Sequence, residues 1–98
     1  VIVKAFNERS IQQLQKLAKF MTEQNENISV ALIGVFDDKY QIVVARGKNG
    51  TSNMKEVMQT ILPLIEGKGG GNELLAQGGG AKTIERSSLV DALIQAIQ

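Results

Sequence analysis

Apolar positions change period along the chain, and the changes mark its elements. Val1 to Phe6 alternates weakly among β-branched residues and predicts a first strand ending near Asn7. Ser10 followed by Gln13 has the spacing of a capping box, so a helix starts there. Ile11, Leu14, Leu17, Ala18 and Met21 then recur at helical spacing, with Gln12, Gln15, Lys16, Lys19 and Glu23 on the other face. Asn25-Glu26-Asn27 closes this helix. Ile28 to Phe36 follows as a nearly continuous apolar run, the pattern of a central strand covered on both faces, with Gly34 marking a close approach by a neighbour.

Asp37-Asp38 is turn chemistry, and Tyr40 to Ala45 is β-rich again, which predicts a hairpin. After the polar stretch Arg46 to Ser52, the residues Met54, Val57, Met58, Ile61, Leu62 and Ile65 form a second helical stripe. Pro63 lacks an amide proton and predicts a kink or a short 3₁₀ finish before Gly67. Leu74-Leu75-Ala76 reads as one more short strand between two glycine runs. A last helix over 86–97 turns Leu89, Val90, Leu93, Ile94 and Ile97 inward, with Ser87 or Ser88 near its start. The order implies an α/β domain: a mixed sheet of four to five strands, the first two parallel, with about three packed helices.

Size and composition narrow the possibilities. The 98 residues suffice for one domain and fall short of two independent cores. Eleven basic against ten acidic residues leave a net charge of +1, so attraction to nucleic acid depends on local clustering. No apolar run approaches the roughly 18 residues of a membrane span, and there is no Cys to form disulfides, so a cytoplasmic protein is expected. Val1-Ile2-Val3 reads as a strand already under way, which suggests a fragment of a larger protein. The absence of His and Cys excludes Ser-His and Cys-His nucleophile systems and His- or Cys-ligated zinc. Asp37-Asp38 is better explained as a turn than as metal ligands. Neither a catalytic site, a metal nor a cofactor is expected.

The segment 67–80 holds seven of the ten glycines: Gly67, Gly69, Gly70 and Gly71, then Gly78, Gly79 and Gly80. A flexible linker would keep apolar residues out, whereas this segment encloses Leu74-Leu75-Ala76. Backbone at positive φ, or backbone that approaches a chain or ligand closely, fits better, and consecutive amides there can form anion-binding concavities. Neither a P-loop nor a dinucleotide fingerprint is present: Gly67-Lys68 is followed by Gly69, and Lys82-Thr83 is preceded by Ala81.

Gly67-Lys68-Gly69-Gly70-Gly71, a short spacer, Ala76-Gln77 and Gly78-Gly79-Gly80 resemble the glycine signature of the DHH-associated domain family. The version is that found at the C-terminus of alanyl-tRNA synthetases and of related freestanding alanyl-tRNA editing proteins. The preceding hairpin, the amphipathic helix ending at Gly67 and the closing helix keep the family's order, so the resemblance covers nearly the whole chain. Asn72-Glu73 stands where synthetases usually carry Arg-Pro, which removes a cation. The His that follows the glycine triplet in the phosphoesterase branch is missing, which argues against substrate binding of that kind.

The resemblance implies an accessory domain that docks tRNA, with alanine tRNA the expected partner, for aminoacylation or editing by a larger parent. A modest net charge is compatible with this, because folded RNA is read largely by shape and backbone contacts. Arg46, Lys48 and Lys55 are candidate RNA contacts near a helix start where Thr51, Ser52 and free amides offer a phosphate site. Lys68 and Lys82 flank the glycine turns as further candidates. Lys16 and Lys19 are better explained as a solvated helix face, and Phe6, Phe20, Phe36 and Tyr40 as core rather than stacking platforms. An oligomerisation domain, in which the glycine segment lets two backbones meet in a homodimer, is the alternative.

Overall fold

The computed structural model describes residues 1–7, 9–36 and 38–97. Five strands, β1 (Ile2–Asn7), β2 (Ser29–Phe36), β3 (Lys39–Arg46), β4 (Lys68–Gly71) and β5 (Leu75–Ala81), form one sheet in the order β1-β2-β3-β5-β4. Three α-helices, α1 (Ile11–Gln24), α2 (Met54–Ile61) and α3 (Arg86–Ile97), cover it, and a 3₁₀ turn over Leu62–Ile65 follows α2. This is the α/β class with the mixed sheet that the periodicity predicts. β1 and β2 are parallel, with α1 as the crossover, while β2-β3, β3-β5 and β4-β5 are antiparallel.

Local signals account for the element ends. The Ser10 side chain accepts from the Gln13 amide at 3.2 Å, and the Gln13 side chain accepts from the Ser10 amide at 2.9 Å, completing the capping box. After Pro63 the chain turns through Glu66 at φ 51°, and the Gly67 amide returns to the Leu62 carbonyl at 2.9 Å. The 3₁₀ finish is therefore observed. Ser87 and Ser88 lie inside the first turn of α3 and not at its cap, since the Leu89 amide already bonds to the Glu85 carbonyl. Asp38 belongs to the turn between β2 and β3; Asp37 is outside the described residues.

Strand alternation sends side chains to two cores. On one face Ala31, Ile33, Tyr40, Ile42 and Val44 pack beneath Met54, Val57, Met58 and Ile61 of α2 and Leu89, Leu93 and Ile97 of α3. On the other, Val30, Leu32, Val43 and Ala45 pack against Leu14 and Ala18 of α1. Burial on both sides explains the unbroken apolar run of β2. Tyr40 is buried, and its hydroxyl donates to the Ile84 carbonyl at 2.8 Å. Phe20 departs from the expected core role: at 59% exposure it lies on the outer side of α1.

The glycine segment differs most from expectation. The strand expected at Leu74-Leu75-Ala76 runs from Leu75 through the second glycine run, and the first run is itself the edge strand β4. The two runs pair with each other, Lys68 opposite Gly79 and Gly70 opposite Gln77. Their amides are thus in extended strands, which removes the expected anion-binding concavity, and among these glycines a positive φ occurs at Gly71 (154°). The close approach that glycine permits is made to the protein's own chain. A Cβ at Gly78 would lie 2.6 Å from a Leu62 methyl, and one at Gly80 would lie 2.8 Å from the Gly67 Cα.

Candidate nucleic-acid interface

The expected RNA contacts occupy two ends of the sheet. Arg46 ends β3, and Lys48 follows in the loop that rests on the chain leaving α1, where the Gly47 amide bonds to the Ile28 carbonyl and the Asn49 amide to the Glu26 carbonyl. Lys55 is exposed on the first turn of α2. Lys68 opens β4, and Lys82 follows β5 with its amide on the Asp38 carbonyl at 2.7 Å. At ~3.3 Å per residue, the two ends of β3 are about 23 Å apart. Arg46 and Lys48 are therefore together, Lys68 and Lys82 are together, and the two groups are separate.

Not every cation is free to bind. Arg46 donates from Nη1 to the Gly47 carbonyl at 3.1 Å and to that of Lys48 at 3.5 Å, so its guanidinium holds the 47–50 loop. Lys48 Nζ lies 3.7 Å from a Glu26 carboxylate oxygen, an exposed pair of small energetic weight. Among the described residues this is the one ion pair, which leaves Lys55, Lys68 and Lys82 without an anionic partner. A depression of about 490 Å³ lies beside the first group, lined by Lys19, Thr22, Arg46, Lys48 and Leu74 among others.

The start of α2 does not offer the free amides that a phosphate needs. Asn53 caps it, its side-chain oxygen accepting from the Lys55 amide at 3.0 Å and the Glu56 amide at 3.3 Å. The Met54 amide is taken by the Glu73 carbonyl, and the Ser52 hydroxyl donates to the Ile97 carbonyl at 2.7 Å. Asn53 had the sequence signature of a cap, one residue before the first apolar position of the stripe, and it satisfies the helix instead of a ligand.

The second group is larger than the sequence reading suggests. Lys39 at the start of β3 pairs with Ala81 and is exposed beside Lys68 and Lys82. Gln41, two residues on, faces the same side as α1 and is opposite Gly34 on β2 and Gly79 on β5. The strict alternation Lys39-Tyr40-Gln41-Ile42 marks both as residues of a half-open strand end, a period-2 signal easily hidden by the apolar run that follows. Here Phe36, Asp38, Lys39, Gln41, Gly79 and Ala81 line a shallow depression of about 670 Å³.

Burial and the nearby Glu85 carboxylate raise the phenol of Tyr40 above the usual 10.0, against a smaller opposing effect of Arg86.

The fold has a counterpart among solved structures. The crystal structure of the C-Ala domain from Aquifex aeolicus alanyl-tRNA synthetase superposes with a TM-score of 0.88 at 26% identity, covering 98% of this chain and 89% of that one. The alanine–tRNA ligase of Buchnera aphidicola subsp. Acyrthosiphon pisum (strain APS) is 23% identical over 95 residues. That match takes in 95% of this chain and 11% of the ligase, so the chain spans about a tenth of that relative. The sequence profile described as the DHHA1 domain matches residues 1–98. From its first residue to its last, the chain belongs to the DHHA1 domain family.

Proposed function

We propose that this chain is an accessory tRNA-binding domain of a cytoplasmic parent, an alanyl-tRNA synthetase or a related aminoacyl-tRNA editing protein, in which it docks alanine tRNA while other parts carry the chemistry. The observation that carries this reading is the likeness to the C-Ala domain over 98% of the chain. A chain without His or Cys cannot assemble a Ser-His or Cys-His nucleophile system, in keeping with a docking role. Lys68 and Lys82, which have no anionic partner among the described residues, supply with Lys39 beside them local positive charge that the net charge of +1 conceals. Tethered to other RNA-binding parts, such a domain needs only modest affinity of its own.

A gel-shift titration of an alanine tRNA transcript, with an unrelated tRNA as control, tests the proposal. A saturable shift at micromolar protein, reduced in a folded Lys39→Ala, Lys68→Ala, Lys82→Ala variant, is expected. The absence of any shift at high micromolar protein would refute it. One observation favours a second reading, oligomerisation: β4 is an edge strand and all four of its residues are exposed. Sedimentation over a concentration range separates the two, since a docking domain without that role stays monomeric.

A further inference from the structure

The free edge of β1 is bordered by apolar side chains that the fold does not cover. β2 pairs with one side of β1, and among the described residues no backbone bond reaches the other side. Thr22 of α1 lines a depression with Ala45 of β3 and Leu75 of β5. Phe20, two residues before it and about 200° around the helix, therefore projects on the side of β1. It is 59% exposed. Ala96 of α3 faces α2, beside Val57 and Thr60. Ile94, again two residues earlier, lies on the opposite flank of α3, toward β1, and belongs to neither core. Val1, 58% exposed, leads into the strand.

Two features select what can fill this edge. Its unpaired row of amides and carbonyls calls for an extended chain, since a helix spends its own amides internally. Lys4 is exposed at the middle of the strand, on the α1 face with Ile2 and Phe6, while Val3 and Ala5 face α3. It has no anionic partner among the described residues, and the Arg9 guanidinium adds a second cation 5.3 Å from the Phe6 ring centroid. A second copy is a poor occupant. The antiparallel register that pairs β1 most fully with itself, Ile2 to Phe6, sets the two Lys4 side chains opposite each other, and like charges so placed are destabilising. A different strand with a carboxylate at that position removes the conflict.

We propose that the β1 edge takes up an extended segment of another protein as an added strand: its backbone pairs with β1, an acidic residue meets Lys4, and apolar residues on either side of it pack beside Phe20 and Ile94. In strand addition the main-chain bonds give affinity and the alternate side chains give specificity. This edge lies across the sheet from β4, so the proposal stands apart from the tRNA reading.

Surface plasmon resonance tests it with a probe peptide, Thr-Val-Val-Glu-Val-Val-Thr, immobilised at low density through a Gly-Ser tail, and the 98-residue chain as analyte. Saturable binding at micromolar chain is expected, at least about tenfold weaker for the peptide with Lys in place of Glu. Lys4→Glu should reverse that preference. Phe20→Ser, at an exposed helix position, should melt at the wild-type temperature and bind at least about tenfold more weakly. Of two peptides N-methylated on alternate residues, the one whose blocked amides face β1 should lose binding and the other should keep it. Absence of binding, equal affinity of wild type and Lys4→Glu for the two peptides, or equal effects of the two methylation patterns would overturn the proposal. A dimer of the free chain that Phe20→Ser dissociates would assign the edge to a second copy and overturn it as well.

Discussion

Alanine substitutions at Gly70 and Gly80 should move stability in opposite directions. Both are strand glycines ten residues apart in the family signature, and neither has a positive φ. At Gly70 an added methyl meets nothing within 4 Å. The substitution then acts through the unfolded chain, reducing the entropy lost on folding and stabilising by about 0.4–1 kcal/mol. At Gly80 the methyl would lie 2.8 Å from the Gly67 Cα and 2.9 Å from Ile65 Cγ1, and closer still to the Ile65 carbonyl. Backbone stands in its way and must move, so the expected cost is that of overpacking, about 1–3 kcal/mol. For a domain of this size each kcal/mol shifts the melting temperature by roughly 4–8 °C. Gly70→Ala should therefore melt about 2–8 °C higher and Gly80→Ala at least about 4 °C lower, read by circular dichroism. Equal losses at the two positions would refute this reading of the two glycines.

Two further predictions concern the scaffold. With one Tyr and no Trp in the chain, absorbance near 295 nm reports Tyr40 alone. Its raised phenol means that the folded state holds the proton more tightly, so stability is intact below the usual 10.0 and falls as pH rises past it. Ionisation should coincide with alkaline unfolding. A Tyr40→Phe variant should lose that slope, with about 0.5–1.5 kcal/mol from the missing bond to Ile84. Asn53→Ala should cost about 0.5–2 kcal/mol in urea titration, because two first-turn amides of α2 lose their acceptor.

Where a residue's role is set by its near neighbours, the sequence reveals it. The Ser10 to Gln13 capping box, the stripe of α2 and the 3₁₀ finish after Pro63 are all local, and each is found where the pattern predicts. The glycine runs resist such reading because composition cannot distinguish a loop from a strand whose side chains were removed to admit a helix. Only the pairing of Gly69 with Gly78 and the approach of Leu62 and Ile65 decide it. Site residues follow the same division. Lys68 and Lys82 flank the glycines in sequence and stay close in space, but Lys39 joins them only because β3 pairs with β5. Arg46 is the exception to that division: it has the charge of an RNA contact, yet its guanidinium holds the carbonyls of Gly47 and Lys48, its next neighbours, which the turn closed by the Gly50 amide on the Gly47 carbonyl brings back to it. Phe20 keeps an aromatic on the polar side of α1, and no contact within the fold explains it.

The central claim is that the domain itself binds tRNA, and the salt dependence of that binding tests it most directly. Affinity of the wild-type chain for alanine tRNA should be measurable at low salt and fall linearly on logarithmic axes as salt rises. A cationic edge of Lys39, Lys68 and Lys82 predicts a slope near two to three, at about 0.7–0.9 per phosphate contact. A slope in that range, reduced by each lysine removed, is the predicted result. No measurable binding at the lowest salt, or an affinity indifferent to salt and to these lysines, would contradict the account.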